Sequence, residues 1–306
     1  MSSATHVVIL MVPGGIQFKL QSVEQVVMAA GGVVLERRAM PVPVTLSASR
    51  AVHNFWIDCP DEAGLSRLLR DLSDQYRVDL ALQPRAVRTR HYRLAVFDMD
   101  STLIDCEVID ELAAAAGVGE EVAAITASAM RGELDFDESF RTRLALLKGL
   151  NSAAVDVLAD RLPIKEGLRE MTTTLRARGI TLAIFSGGFL PIARRLQQDF
   201  GFDEVVANAL EIEGGMVAGV ATPPIVNREY KARALQALAD RLGISVEQSI
   251  AVGDGANDLS MMALAGMSVA FHAKPTVRAA SPIEVTYGGL DGICYLLGSE
   301  GEFDTD

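Results

Sequence analysis

Apolar and polar positions along residues 1–90 follow a pattern that predicts four strands and two helices. One helix is expected to begin at Ser22 and end at Gly31, and a second over 62–76 has its leucines on one face and Asp61 as its cap. A Pro-interrupted passage precedes the third strand. The order βαββαβ is that of a ferredoxin-like unit. The short apolar runs that predict its strands lie at 6–12, 33–38, 55–57 and 78–82.

From residue 94 onward the pattern becomes that of a parallel α/β sheet. The apolar run at 94–97 predicts a strand buried on both faces. Residues 107–162 keep helical spacing and predict a helical cap inserted after that strand. Helices and strands then alternate, with strands expected at 181–185, 205–210, 216–220, 249–252 and 269–271. We therefore expect an α/β protein in which a ferredoxin-like domain, 1–90, precedes a doubly wound parallel-sheet domain, 91–306.

Composition and charge exclude several classes of protein. The chain has 306 residues, 49% of them hydrophobic, which allows a sizeable core. A net charge of −12 argues against nucleic acid and anionic membranes as partners, and no signal pattern or membrane-length apolar run is found, so a cytoplasmic protein is expected. Cys59, Cys106 and Cys294 fit neither a disulfide framework nor a zinc pattern. Residues 84–90, with three arginines, are expected to be a solvated linker, and 300–306 a solvated acidic tail.

Two aspartates that follow the strand at 94–97 are the first candidates for chemistry. Asp98 and Asp100 lie where the carboxyl ends of parallel strands form a ligand crevice. Carboxylates this close repel each other unless a proton or a cation separates them, which points to a divalent metal. Asp-x-Asp also occurs in surface turns and calcium loops, so the later motifs have to decide whether these two aspartates are functional.

Three further stretches offer groups suited to phosphate chemistry. Ser186 and Gly187 end a predicted strand, where a hydroxyl and backbone N–H groups can bind a phosphate oxygen, although a simple strand-to-helix turn has the same pattern. Lys231 begins a predicted helix, where a lone lysine is usually solvated. The stretch GDGAND turns tightly and lets the carboxylate of Asp254 reach a metal. Asp258 either binds metal through water or caps the following helix.

Together these motifs resemble those of the haloacid dehalogenase superfamily, and over about 90–298 the chain resembles its phosphoserine phosphatases. The resemblance implies that Asp98 is a nucleophile that forms an aspartyl phosphate. It implies that Asp100 protonates the leaving alkoxide and later takes a proton from water. It also implies that Lys231 holds the nucleophile and the phosphoryl group by charge. Mg²⁺ would bridge Asp98, the backbone carbonyl of Asp100, and Asp254.

The same resemblance assigns substrate contacts to the cap and to the strand ends. Glu107 is expected to meet the substrate ammonium and Arg143 its carboxylate, with Arg141 as the neighbour most easily confused with Arg143. A zwitterionic amino acid needs such a fixed anion and bidentate cation held apart. Without the resemblance, both would be interpreted as exposed charges on helix surfaces. The other expected substrate-binding residues are Ser186, Gly187, Lys231 and Asn257.

The implied function is the Mg²⁺-dependent hydrolysis of O-phospho-L-serine to L-serine and phosphate, the last step of serine biosynthesis. Residues 1–90 resemble an ACT-type regulatory domain. Its helices would cover one face of its sheet, the other face would pair in a homodimer, and L-serine is a candidate effector. Because these residues contain none of the motifs, catalysis is not expected to need them. The alternatives are a phosphotransferase to an alcohol such as homoserine, a broad small-molecule phosphatase, and a non-catalytic amino-acid sensor.

Overall fold

The computed structural model describes residues 4–40, 50–130 and 133–298. The Pro-interrupted passage and the acidic tail at 300–306 lie outside these ranges. Within them, no helix combines the length and the apolarity that crossing a bilayer requires.

The N-terminal unit is an antiparallel sheet with helices, in the predicted order. Its elements are β1 (His6–Pro13), α1 (Gln21–Ala29), β2 (Val33–Met40), β3 (Arg50–Asp58), α2 (Glu62–Tyr76) and β4 (Asp79–Pro84). The strands are arranged β2-β3-β1-β4. Helix α2 begins where predicted, because the side chain of Asp61 accepts a hydrogen bond of 2.9 Å from the N–H of Gly64. The ferredoxin-like βαββαβ arrangement is confirmed.

Both faces of the central strand β1 are buried, each against a different partner. Val8 and Leu10 lie on the face that packs in a hydrophobic cluster with the two helices. Because successive side chains of a strand point to opposite faces, Val7, Ile9 and Met11 lie on the other face. There they join the hydrophobic cluster of the parallel sheet. The expectation that this second face is free to pair with another copy of the chain is therefore wrong.

The segment between the two sheets is not the solvated linker that its arginines suggested. Residues Arg85–Arg88 form a short helix, α3, and the side chain of Arg88 is fully buried. Its Nη1 donates a hydrogen bond of 2.6 Å to the backbone carbonyl of Tyr295. A guanidinium can be buried when carbonyl oxygens accept its N–H groups, which is why the expectation of solvation fails here.

A helical cap follows the first strand of the parallel sheet, β5 (Leu94–Phe97), as predicted. The chain leaves and re-enters the sheet at one place, because Ile104 and Ile164 pair as an isolated antiparallel bridge. This neck holds the cap above the carboxyl end of β5. The helices of the cap are α4 (Val108–Ala116), α5 (Gly119–Met130), α6 (Phe136–Leu146) and α7 (Ala153–Asp160).

The rest of the described chain completes a six-stranded parallel sheet with helices between its strands. Its further elements are α8 (Leu168–Ala177), β6 (Thr181–Phe189), α9 (Leu190–Phe200), β7 (Glu204–Asn208), β8 (Ile212–Glu213), β9 (Met216–Val217), α10 (Arg228–Arg241), β10 (Ser249–Gly253), α11 (Leu259–Leu264), β11 (Met267–Phe271), α12 (Pro275–Ala280), β12 (Ile283–Val285) and α13 (Gly292–Tyr295). The strand order is β12-β11-β10-β5-β6-β7. The predicted doubly wound fold is confirmed, and β5 lies between β10 and β6, so their carboxyl ends meet at one edge.

The segments at 216–220 and 283–285 differ from the sequence-based expectation. The run at 216–220 is not a strand of this sheet. Met216–Val217 instead pairs with Ile212–Glu213 in a small antiparallel hairpin, and Met216 also forms an isolated bridge with Asn151. Strand β12 was not predicted, since its three residues include a glutamate. That residue, Glu284, is buried because Arg278 forms an ion pair with it at 2.9 Å.

Candidate active site

A cavity of about 560 Å³ lies between the carboxyl edge of the parallel sheet and the helical cap. Its walls come from residues after β5, β10 and β11, from the end of β6, and from the cap helices. Two predicted site residues, Ser186 and Lys231, are fully buried beside it rather than lining it. The structure brings the other predicted site residues together in its lining: Asp98, Asp100, Glu107, Arg143, Gly187, Asp254 and Asn257.

The carboxylate of Asp98 is held at the centre of this edge by several donors. Strand β5 ends at Phe97, so Asp98 emerges between β10 and β6. Its Oδ1 accepts the backbone N–H of Met99 at 2.7 Å and lies 2.8 Å from Nζ of Lys231. Its Oδ2 accepts a hydrogen bond of 3.2 Å from Nδ2 of Asn257. These contacts fix the orientation of the carboxylate toward the cavity.

Lys231 is a buried cation, whereas an isolated lysine is usually solvated. It lies in the first turn of α10, whose start is fixed because the side chain of Asn227 accepts the N–H of Tyr230 at 3.0 Å. Its Nζ lies 2.8 Å from Asp98 and 2.7 Å from Asp258. Burial opposes the charge, but the two carboxylates outweigh it and raise the pKa of Lys231. The ammonium group therefore keeps its charge inside the protein.

Asp258 completes this ion network, which decides against one of its two expected roles. Its Oδ1 pairs with Lys231, and its Oδ2 accepts the backbone N–H of Gly255 at 3.1 Å. Asp258 occupies the N-cap position of α11, but its side chain makes no capping hydrogen bond, so the expectation that its carboxylate caps that helix is wrong. The turn is tight, because a Cβ on Gly253 would lie 2.4 Å from the carboxylate of Asp258.

Three carboxylates gather where a metal ion could be held. Oxygen atoms of Asp98, Asp254 and Asp258 lie within 4.8 Å of one another. Burial, followed by repulsion from Asp98, raises the pKa of Asp254 to about 6. A set of oxygen donors suits a hard divalent cation, whose charge would relieve that repulsion. The carboxylate of Asp100 is not part of the group, so a ligand role for Asp100 rests on its backbone carbonyl and stays a prediction.

The environment of Asp100 favours a protonated carboxyl group. Burial, followed by the charges of Glu107 and Asp98, raises the pKa of Asp100 well above its usual range. Its Oδ1 is buried with no hydrogen-bond partner among the described residues. A Cβ on Gly188 would lie 2.8 Å from the other carboxyl oxygen, so only glycine leaves room for Asp100 here. A protonated carboxyl beside a carboxylate is the arrangement that general acid catalysis needs.

Strand β6 extends further than predicted and carries Ser186 and Gly187 within it. It continues to Phe189, so the expected strand-to-helix turn at Ser186 is displaced toward the C-terminus. The Oγ of Ser186 accepts the N–H of Gly188 at 2.8 Å. A Cβ on Gly187 would lie 3.1 Å from Cζ of Phe136, a residue of the cap. The missing side chain of Gly187 therefore allows the cap to approach the sheet closely.

The cap contributes one anion and one cation to the cavity. Glu107, just before α4, accepts a hydrogen bond of 2.8 Å from Oγ of Ser101, and burial raises the pKa of Glu107. Among the described residues, Arg143 makes only long hydrogen bonds, with Nε 3.4 Å from the carbonyl of Ser139 and Nη1 3.5 Å from Oγ1 of Thr126. Burial lowers the pKa of this guanidinium. Both groups face a cavity, so their interpretation as ordinary surface charges is wrong.

The neighbouring arginine of the cap has a different environment. Arg141 does not line the cavity, and its exposed guanidinium lies 3.6 Å from the carboxylate of Asp137. Asp137 also accepts a hydrogen bond of 2.9 Å from Nδ2 of Asn227, the residue that caps the helix carrying Lys231. This bond joins the cap directly to the core.

Two residues beside Asp254 were not assigned a role from the sequence. The Oγ1 of Thr102 donates a hydrogen bond of 3.2 Å to Oδ1 of Asp254. In the sequence, its place in the first motif was the only feature that pointed to a role for Thr102. Nζ of Lys274 lies 3.6 Å from Oδ2 of Asp254, and Lys274 lines the cavity. It follows β11, the neighbour of β10, so the rule that parallel strand ends meet at one edge could have found it.

Comparisons with known proteins agree with this geometry. Residues 92–266 match the family model for haloacid dehalogenase-like hydrolases. Over 237 residues the chain is 43% identical to phosphoserine phosphatase SerB2 of Mycobacterium tuberculosis, a match that covers 77% of this chain and 58% of that protein. The chain thus spans little more than half the length of this relative.

Solved structures extend the similarity to the fold. A HAD family hydrolase from Salmonella enterica subsp. enterica serovar Typhi has a TM-score of 0.84 and 31% identity, covering 96% of this chain and 99% of that chain. A phospho-aspartyl intermediate analogue of phosphoserine phosphatase has a TM-score of 0.64 and 38% identity, covering 68% of this chain and 100% of that chain.

Proposed function

Because the chain belongs to the haloacid dehalogenase-like hydrolase family, we propose that it hydrolyses O-phospho-L-serine to L-serine and phosphate. The observation that carries the proposal is that one cavity combines two features. Its floor holds Asp98 with Lys231 at 2.8 Å, which suits a phosphoryl group, and its cap wall offers Glu107 and Arg143, which suit a zwitterionic amino acid. The identity to a phosphoserine phosphatase supports this choice of substrate.

In the first proposed step, the carboxylate of Asp98 attacks phosphorus and forms an acyl phosphate, while the bond from phosphorus to the serine oxygen breaks. Asp100 gives its proton to the leaving alkoxide, since its raised pKa keeps that proton available. Lys231 keeps a positive charge against Asp98 throughout. The related structure of a phospho-aspartyl intermediate analogue supports this intermediate.

In the second step, Asp100, now a carboxylate, takes a proton from a water molecule that attacks phosphorus. The bond from phosphorus to Asp98 breaks, which releases inorganic phosphate and restores both carboxyl groups. Close approach of Phe136 to Gly187 supports a role for the cap in keeping bulk water away from the acyl phosphate. Ser186, Gly187 and Asn257 are the proposed additional substrate contacts.

The proposed cofactor is Mg²⁺, and the donor atoms of the site fit it. Asp98, Asp254 and the backbone carbonyl of Asp100 would hold the ion, while Asp258, whose two oxygens already have partners, would act through water. The raised pKa of Asp254 supports this fit, because its cause includes repulsion from Asp98 that a cation would relieve. The ion would supply charge that offsets the negative phosphoryl group.

The domain division and the assembly are part of the proposal. Residues 1–90 would form an ACT-like regulatory domain, and 91–306 the phosphatase domain with its cap at 107–162, in a cytoplasmic protein of serine biosynthesis. Since the second sheet face is covered within the chain, a homodimer would form elsewhere, and the edge strand β2 exposes Val33 and Leu35. L-serine, the product, is the proposed effector. Light scattering of Leu35→Glu tests the proposed homodimer, and measuring turnover across a titration with L-serine tests the proposed effector.

A phosphate-release panel of phosphorylated amino acids and sugars, with and without Mg²⁺, tests the proposed activity. We expect O-phospho-L-serine to be preferred and release to require the metal. Adding alcohols such as homoserine and analysing their phosphate esters separates transfer from hydrolysis. Comparable turnover of sugar phosphates would replace the proposal with a broad phosphatase, and no turnover of any ester would favour a non-catalytic amino-acid sensor.

A further inference from the structure

One buried carboxylate of the N-terminal sheet holds a turn of the catalytic half of the chain. Asp79, the first residue of β4, is only 1% exposed. Its Oδ1 accepts the backbone N–H groups of Thr286 at 2.6 Å and Tyr287 at 2.9 Å. Its Oδ2 accepts the N–H of Gly288 at 2.7 Å. A buried carboxylate with three consecutive backbone donors holds the turn at 286–288 in one position.

This turn fits closely against the N-terminal unit. A Cβ on Gly288 would lie 2.2 Å from Nη1 of Arg50 and 2.8 Å from Oδ2 of Asp79. Arg50 is itself fixed, because its Nη2 forms an ion pair of 2.7 Å with Asp291. Side chains from two strands of the N-terminal sheet therefore determine where the turn lies at Gly288.

The same turn fixes a loop of the active site. His272, directly after β11, has a φ of 45°, which a non-glycine residue adopts only where its surroundings hold it. Its N–H donates to the carbonyl of Val285 at 2.9 Å, and its Nε2 lies 2.8 Å from the carbonyl oxygen of Gly288. Two residues later, the N–H of Lys274 donates to the carbonyl of Asp254 at 2.9 Å. Hydrogen bonds thus connect Asp79 to His272 through the turn, and the backbone from His272 to Lys274 continues the path to Asp254.

We propose that Asp79 is a positioning residue for Asp254, acting through the turn at 286–288 and His272. The inference rests on the proposed metal role of Asp254, but it does not depend on which phosphate ester is the substrate. It assigns residues 1–90 a part in building the catalytic edge. This is the opposite of the expectation that catalysis does not need them.

Calorimetric titration of the full chain with Mg²⁺, in the absence of substrate, tests the proposal with Asp79→Asn. Asparagine keeps the shape but turns an NH₂ group toward the N–H donors. We expect Mg²⁺ affinity to fall by about five-fold or more, the lower end of coupling between linked sites. We expect the Mg²⁺ concentration for half-maximal phosphoserine turnover to rise in parallel, with kcat at saturating Mg²⁺ close to wild type.

Asp74→Asn is the matched control at the same interface. Asp74 accepts hydrogen bonds from the hydroxyl of Tyr287 at 2.9 Å and from Arg278 at 3.0 Å, but from none of the backbone N–H groups of the turn. It should leave Mg²⁺ affinity within about two-fold of wild type. Wild-type affinity in Asp79→Asn, or an equal loss in both variants, would overturn the proposal, because the interface would then serve stability alone.

A second variant removes the hydrogen bond between the side chain of His272 and the turn at 286–288. His272→Ala leaves the contacts of Asp79 intact and should weaken Mg²⁺ binding to a similar degree, and the double variant should lose little more than either single one. Amide hydrogen exchange over residues 272–288 gives an independent readout. If wild type binds no Mg²⁺, the proposed function fails. Faster exchange in Asp79→Asn would still support the positioning role, and unchanged exchange would refute it.

Discussion

The buried cluster around Asp98 and the cap wall around Arg143 differ in how completely their charges are bonded. In the cluster, Nζ of Lys231 lies 2.8 Å from Asp98 and 2.7 Å from Asp258 and has no exposure. In the wall, the contacts of Arg143 are 3.4 and 3.5 Å long. Every phosphate monoester brings the same phosphoryl group, whereas the rest of the ester varies.

This contrast separates catalysis from selectivity. Groups fixed before the substrate arrives need no reorganisation as charge develops, so the cluster suits the phosphoryl group that all substrates share. A half-buried guanidinium with weak partners gains most from a ligand carboxylate, so the wall suits one class of ester. Substitutions in the cluster should therefore lower the turnover of every ester, and substitutions in the wall should act on phosphoserine in particular.

The largest expected effect is that of Asp98→Asn. The amide keeps the shape but lacks the nucleophilic charge, so kcat should fall by on the order of 10⁴-fold or more for every phosphate ester. Steady-state assays with phosphoserine and with an aryl phosphate measure it, and thermal unfolding checks the fold. Asp105→Asn, an exposed aspartate in the same stretch, is the control. A phosphorylated protein trapped from Asp98→Asn by acid quench would contradict the mechanism.

Arg143→Ala should remove the selectivity for phosphoserine that the cap wall provides. Loss of a buried partner for the substrate carboxylate costs about 2–5 kcal/mol, which lowers kcat/KM for phosphoserine by between tens and thousands of fold. An ester without a carboxylate should change little. Arg141→Ala, whose guanidinium pairs with Asp137 outside the cavity, is the matched control. Equal losses for both esters would mean that Arg143 is structural.

Parts of the molecule differ in how far the sequence predicts them. Asp98 and Asp254 could be placed because apolar strands lead directly into them, and parallel strand ends share one edge. The ion pair of Lys231 with Asp258 and the buried contact of Arg88 were not predicted, because their partners are distant in sequence. The expectation that the second face of the N-terminal sheet is free was wrong for the same reason, since a strand pattern reveals an apolar face but not what covers it.

Removing the metal should lower the stability of the fold through the carboxylates of the cluster, and the cap wall should not contribute to this loss. If Mg²⁺ binds among the carboxylates of Asp98 and Asp254, adding it at 100 times its Kd should stabilise the fold by about 2.7 kcal/mol. Thermal unfolding with Mg²⁺ and with a chelator measures this shift. Asp254→Asn should lose most of it, and Arg143→Ala should keep it. A full shift in Asp254→Asn would place the ion elsewhere.

The smallest expected effect concerns one hydrogen bond between the cap and the core, that of Asp137 with Asn227. Asp137 of the cap accepts a hydrogen bond of 2.9 Å from Asn227, which also fixes the start of the helix that carries Lys231. A typical net hydrogen bond contributes about 0.5–1.5 kcal/mol. If the bond stabilises the cap over the cavity by that amount, Asp137→Ala should raise KM for phosphoserine about two- to ten-fold and leave kcat nearly unchanged, because the cluster itself is untouched.

Two control variants isolate this bond from the other effects of Asp137. Glu138→Ala removes a negative charge from the same first turn of α6 without breaking a contact to the core. Arg141→Ala removes the other partner of Asp137. Both should keep KM near wild type. A fall in kcat in Asp137→Ala, with KM unchanged, would mean that the bond acts on the position of Lys231, and the cap and the cluster would then be one unit rather than two.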